Sequence, residues 1–192
     1  MFQQISKFLN NNKNTKKIDD IRIRFVNPSN DLDNEITELN DDEIKNKAKQ
    51  LKSLYSNSDT NEISEKDIIT AVSLVKEISN RTIQLKHYDS QVIVGICLYF
   101  GKVTEMKTGE GKTLAATIPA FLNYISNNQT HLITVNDYLA KRDSEWMSPI
   151  YNFLGMTNTY IQNEMSLDEK IEAYQSDIVY GNNNEFCFDF LR

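Results

Sequence analysis

The stretch Met106-Lys107-Thr108-Gly109-Glu110-Gly111-Lys112-Thr113 has the make-up of a phosphate-binding loop. Glycines at 109 and 111 let backbone N–H groups approach phosphate oxygens with no Cβ in the way. A helical pattern follows. A helix starting near Lys112 would set its positive dipole end, about half an elementary charge, beside the phosphates. In such loops the lysine, here Lys112, reaches the β- and γ-phosphates, and the hydroxyl after it, here Thr113, is offered to Mg2+. A nucleoside triphosphate is therefore the first ligand to consider.

Met106 stands where the usual G-x-x-x-x-G-K-[ST] pattern has its first glycine. The remaining x-x-x-G-x-G-K-T is a variant of helicase-like motor ATPases. Trust in the motif rests on a strand–loop–helix context. Val103–Met106 reads as a short strand entering the loop, and Thr113–Ser126 as the helix leaving it. Pro119 lies inside that helix, and an interior proline costs about 3 kcal/mol, so a kink is expected there. Farther on, His131–Val135 reads as a strand. A helix follows from about Tyr138 to Leu154, closed by Gly155, and Thr157–Ile161 reads as a weaker strand. Ser166 and Glu169 form a capping box for a short helix to Tyr174. Ile178–Tyr180 is another strand, and Phe186–Leu191 suggests a last helix. This alternation predicts an α/β fold, a parallel sheet with right-handed crossovers and the site at the carboxyl ends of the strands.

The region before the loop reads as helical. Phe2, Ile5, Phe8 and Leu9 share one helical face, with Lys13, Lys16 and Lys17 behind it. That stripe suits either a docking helix for a membrane or partner, or a short helix packed on its own domain. Asn27-Pro28-Ser29-Asn30 reads as a turn. Asn40 to Glu43 resembles a capping box opening a helix to about Tyr55. Ser56–Asn61 is a polar linker. Ser64 caps the next helix, striped by Ile68, Val72, Val75 and Ile78. Asp89 is expected to cap a further short helix ending at Gly101. The domain division placed on this pattern is a helical region over 1–86 and a partial nucleotide-binding domain over 87–192.

Composition narrows the function. A chain of 192 residues holds one sizeable domain, alone or with an appendage. The net charge of −6 speaks against nucleic acid, which calls for a basic face. The longest apolar run, Val92–Phe100, is too short to span a bilayer, which needs about twenty residues. Met1–Leu9 lacks the charged start and apolar block of a signal peptide. Cys97 and Cys187 are expected to be reduced, packed thiols. His87 and His131 lack metal-ligand spacing and read as structural. An ATPase of this kind also needs carboxylates for Mg2+ and water. Asp137 follows an apolar strand but reads better as part of a helix cap, and Asp177 precedes its strand. The expectation is a truncated chain without half of its catalytic machinery.

Five segments together resemble the amino-terminal region of the SecA preprotein translocase ATPase family. They are Leu39-Asn40-Asp41-Asp42-Glu43, His87-Tyr88-Asp89-Ser90-Gln91, Glu105–Leu114, Thr134–Asp143 and Tyr180–Arg192. The family usually has glycine where Cys187 stands, and often threonine where Asn182 stands. The resemblance implies a RecA-like parallel sheet with helices on both faces, incomplete here. It implies ATP and Mg2+ as cofactors. Gln91 would read adenine; Gly109, Glu110 and Gly111 would present backbone donors; Lys112 and Thr113 would handle phosphate and Mg2+. Asp137, Arg142 and the Asn182–Glu185 run would relay nucleotide state. The implied partners are the SecYEG channel, unfolded preprotein, an anionic membrane surface and a second copy of the full-length protein, with no nucleic acid expected. The implied location is cytoplasmic and peripheral on the inner membrane, or else plastid stroma and thylakoid. The alternative functions are a helicase-like nucleic-acid ATPase and a non-catalytic docking fragment.

Overall fold

The computed structural model describes residues 14–56 and 62–191. The Phe2–Leu9 stripe lies outside the described residues. A helical lead-in over 14–21 passes through a π-helical turn, Arg22–Val26, into α1 (Asn27–Asp31) and α2 (Asp33–Glu38). The Asn27–Asn30 stretch, expected to be a turn, is therefore helix. Pro28 follows the π-helical turn directly, and without an N–H it cannot continue that turn's bonding, in which Asn27 N donates to the Arg22 carbonyl.

The next helices start where their caps place them. Asn40 opens α3 (Asp41–Ser56): its Oδ1 accepts from Glu43 N at 3.0 Å, and Glu43 Oε2 accepts from Asn40 N at 2.8 Å. Ser64 opens α4 (Glu65–Ile83) by accepting from Asp67 N at 3.2 Å. Ile68, Val72, Val75 and Ile78 are all buried, as their spacing predicts. Helix α5 (Asp89–Tyr99) is entered at Tyr88, whose N–H donates to Gln91 Oε1 at 3.0 Å. Asp89, expected as the cap, is instead its first helical residue. Gly101 closes it at φ +67°, with its N–H on the Leu98 carbonyl and that of Lys102 on Cys97.

The expected strand Val103–Met106 is irregular. A strand forms only where a neighbour takes up its hydrogen bonds. None of the described strands lies beside it, and Val103 is fully exposed. The helix after the loop is split into α6 (Lys112–Ala115) and α7 (Thr117–Ile125). Pro119 has no N–H for the Ala115 carbonyl, and its ring crowds that oxygen. The break therefore falls upstream of the proline, not at it.

The sheet comes last, from β1 (Thr130–Thr134), β2 (Asn158–Tyr160) and β3 (Ile178–Asn182), ordered β1-β3-β2 and wholly parallel. Thr130 and Asn158 both pair with Ile178. Parallel neighbours need crossovers. Helices α8 (Asp137–Phe153) and α9 (Leu167–Ala173) supply them, and α10 (Asn183–Leu191) follows β3. Along β3 the side chains alternate: Ile178 and Tyr180 join the main core, while Val179 faces Ile161, Ala173 and Phe186 on the other side. Helices thus cover both faces, giving the α/β architecture expected.

One core runs through all of this. Phe25, Ile44 and Ile78 from the helical part share it with Phe121, Ile150 and Ile178. Packing is continuous across residue 86. Cys97 is half-buried and Cys187 exposed, both unpaired, so only the first fits the packed thiol expected. No described helix is long and apolar enough to cross a membrane.

Candidate nucleotide site

The loop faces the carboxyl end of β1. Together they line a cleft of about 690 Å3, bounded by Gly109, Lys112, Thr113 and Val135 and by Arg142 and Trp146 of α8. Gly109 and Gly111 hold φ +86° and +82°, left-handed values that favour glycine. Space decides Gly111 as well: a Cβ there would come within 2.2 Å of Gln91 Nε2. Among the described residues, no acceptor takes the N–H groups of Gly109, Gly111, Lys112 or Thr113. Unpaired donors gathered on one concave loop form an anion-binding nest. Because α6 is a single turn, these donors matter more here than a helix dipole.

The loop is braced from several sides. Lys112 Nζ donates to the Lys107 carbonyl at 2.8 Å, so the lysine already lies across the nest. Glu110 Oε2 accepts from Lys107 N at 2.8 Å. The Glu110 N–H, expected as a phosphate donor, is taken by the Lys107 carbonyl at 3.3 Å. Gln91 is buried with both ends of its amide engaged: Oε1 holds Tyr88 N and Nε2 donates to the Glu110 carbonyl at 2.9 Å. In this arrangement Gln91 positions the loop. Thr113 Oγ1 donates to Asp143 Oδ2 at 3.3 Å. The donors, the lysine and the hydroxyl fit a Mg2+-bound nucleoside phosphate.

Sequence reasoning missed Asp143 and Trp146. They lie thirty or more residues from the loop, yet Leu139, Arg142, Asp143 and Trp146 fall at i, i+3, i+4 and i+7, one face of α8, and line the same cleft. That spacing was the available signal.

The relay residues divide into two groups. Arg142 belongs to the cleft. Asp137 does not: its carboxylate accepts from Asn182 Nδ2 and, at 3.0 Å, from Asn163 N. Asn182 Oδ1 in turn accepts from Glu185 N at 3.0 Å, closing the start of α10. Asn136 caps α8, accepting from Leu139 N at 2.9 Å, and Asp137 is the first helical residue, so the Asn-Asp-Tyr segment does open the helix. Asp177 is taken up by Thr157 N and Oγ1 at the amino end of the sheet.

His87 ties the helical part to the loop. Its Nδ1 lies 3.1 Å from Ser79 Oγ on α4, and its Nε2 lies 3.0 Å from the Leu114 carbonyl and 3.1 Å from Thr117 Oγ1. Burial pushes the imidazole down to about 4; the Leu114 carbonyl opposes this and nearby Lys76 adds to it. His87 is thus a neutral structural bridge. His131 is structural too, stacked on Phe186 at 4.7 Å.

Comparison with known proteins gives the family. The profile of the SecA DEAD-like domain matches residues 5–192, nearly the whole chain. The chain belongs to this family. The protein translocase subunit SecA of Clostridium beijerinckii is 50% identical over 164 residues, 85% of this chain and 19% of that protein. The SecA subunit of Legionella pneumophila (strain Corby) is 50% identical over 154 residues, 80% of this chain and 17% of the relative. That of Clostridium acetobutylicum is 45% identical over 170 residues, 88% and 20% of the two chains. The chain therefore spans about a fifth of the length of the SecA relatives it matches. These relatives are bacterial, and nothing in them supports a plastid setting.

Proposed function

We propose that this chain forms an ATP-binding part of a SecA-type protein translocase motor. The observation that carries this reading is the loop itself: four backbone donors with no acceptor among the described residues, converging with Lys112 and Thr113 on one cleft, in a chain that is 50% identical over 164 residues to a translocase subunit. Residues 87–191 build the cleft, and the helical region before them braces it through His87 and α4.

Lys112 would exchange the Lys107 carbonyl for the β- and γ-phosphates. Gly109, Gly111, Lys112 and Thr113 would turn their N–H groups to the phosphate oxygens, and Thr113 would hold Mg2+ through its hydroxyl. Bound Mg2+ would neutralise charge developing on the transferred phosphate. Gln91 would meet adenine with the N–H and lone pair it has left. Changes in the loop would reach Asp137 and the Asn182–Glu185 run through α8. In the family setting, hydrolysis would drive unfolded preprotein through SecYEG at the cytoplasmic face of an anionic membrane, with dimerisation a property of the longer relatives.

Calorimetry with ATP and Mg2+ tests the reading. Saturable binding is expected, and its loss in Lys112→Ala. Equal binding by both chains, or none by either, would overturn it.

A further inference from the structure

The geometry points to Asp143 as the positioning residue that aims the Thr113 hydroxyl at the bound divalent cation, an inference that rests on the nucleotide reading above. Asp143 is almost fully buried on the face of α8 that looks into the cleft. Its two oxygens have separate tasks. Oδ1 accepts from Arg142 Nε at 2.9 Å and from Arg142 Nη2 at 2.6 Å. Oδ2 is left for Thr113, whose Oγ1 donates to it at 3.3 Å.

The consequence follows from the chemistry of a hydroxyl. Threonine has one O–H to give and two lone pairs to offer. When a fixed carboxylate takes the proton, both lone pairs turn away from it, toward the phosphate cleft. A hydroxyl left to rotate would spend its time among several rotors, and a cation would have to fix it on binding. Arg142 makes the carboxylate a fixed object: its planar guanidinium grips one oxygen with two donors, which sets the direction of the other. Outer partners that orient a metal ligand in this way typically change metal affinity about 10- to 100-fold when removed. In this assignment Asp143 acts on the cation through Thr113 and not directly.

The test is calorimetric titration of the whole chain with ADP, once in Mg2+ and once in EDTA. For the unaltered chain, Mg2+ should tighten ADP binding. Asp143→Asn should cut that tightening about tenfold, leaving the affinity in EDTA unchanged. In Thr113→Val the tightening should be gone already, and adding Asp143→Asn should cost nothing more, because the two act as one unit. A tightening in Asp143→Asn equal to the unaltered chain would overturn the inference. So would an equal loss in Mg2+ and EDTA, which marks a merely structural role. If circular dichroism shows that Asp143→Asn does not fold, Arg142→Ala decides, since that side chain is half exposed. Its Mg2+ effect should fall several-fold, and an unchanged effect would overturn the inference. Failure of the unaltered chain to bind ADP at all would instead overturn the nucleotide reading, and this inference with it.

Discussion

The helical region before His87 and the cleft side of the sheet treat their polar and apolar groups in opposite ways. In the helical region even a buried cation is answered: Lys76 meets Asn30 Oδ1 at 2.5 Å and Asp33 Oδ1 at 2.8 Å. Arg81 reaches Glu77, Asp41 and the carbonyls of Thr37 and Leu39. Around the cleft, the N–H groups of Gly109, Gly111, Lys112 and Thr113 have no acceptor among the described residues, and Ile133, Val135 and Trp146 stand exposed. Buried polar groups without partners are costly, and open donors are tolerated where a ligand or water can reach them. The difference separates the part of the chain that holds the loop from the part that presents it.

The sharpest way to break this division is to disturb the core that both parts share. Phe121 on α7 is fully buried, and α7 packs against α3, α4 and α5. Phe121→Ala should cost about 3–5 kcal/mol. Trp146 fluorescence, which watches the cleft, and far-ultraviolet circular dichroism, dominated by helix, should both move to the same lower midpoint. Two separate midpoints would show that holder and presenter fold independently.

His87 tests the joint by pH. Its folded value, about 4, lies below the ordinary 6.5, so the folded chain keeps it neutral while the unfolded chain takes up a proton first. Its contribution is therefore full above pH 6.5 and is lost as pH falls toward 4. Each pH unit in that window is worth up to about 1.4 kcal/mol for one proton, so the loss approaches 3 kcal/mol. Chemical denaturation between pH 7 and 4.5 should show this slope, and His87→Gln should flatten it. An unchanged slope would place the acid sensitivity elsewhere.

Gly111→Ala probes the presenting side. The left-handed backbone costs a side chain about 1–2 kcal/mol, and the new Cβ would press on Gln91 Nε2. Stability should fall by that modest amount, while ADP affinity drops at least tenfold as the nest is distorted. A loss of stability with full ADP affinity would show that Gln91 does not position the loop.

These regions also differ in how far the sequence reveals them. Caps act within four residues, so Asn40, Ser64 and Ser166 marked their helices plainly. The loop was equally plain, since its chemistry is written in eight consecutive residues. Pro119 was seen but its effect misplaced, because the clash acts on a carbonyl one turn upstream. Val103–Met106 failed as a strand because pairing belongs to two segments, not one. Asp143 escaped for the same reason: only the fold brings α8 to Thr113, although the 139, 142, 143, 146 spacing on α8 announces a common face. The family resemblance reached the loop and Arg142 but did not single out their carboxylate partner.

The smallest expected effect bears hardest on the contrast. Val135, at 87% exposure, borders the cleft just past β1. If this face is open in solution, Val135→Ser removes contacts that do not exist, and stability should stay within about 0.5 kcal/mol, as for ordinary surface changes. Urea denaturation at two protein concentrations, tenfold apart, checks this. A loss above about 1 kcal/mol would mean that Val135 is covered in solution, because an exposed valine has little burial to forfeit. If that loss grew with protein concentration, the cover would be a second copy of the chain. If it did not, the chain itself would close over the cleft, and the loop donors would be less available to phosphate than their geometry implies.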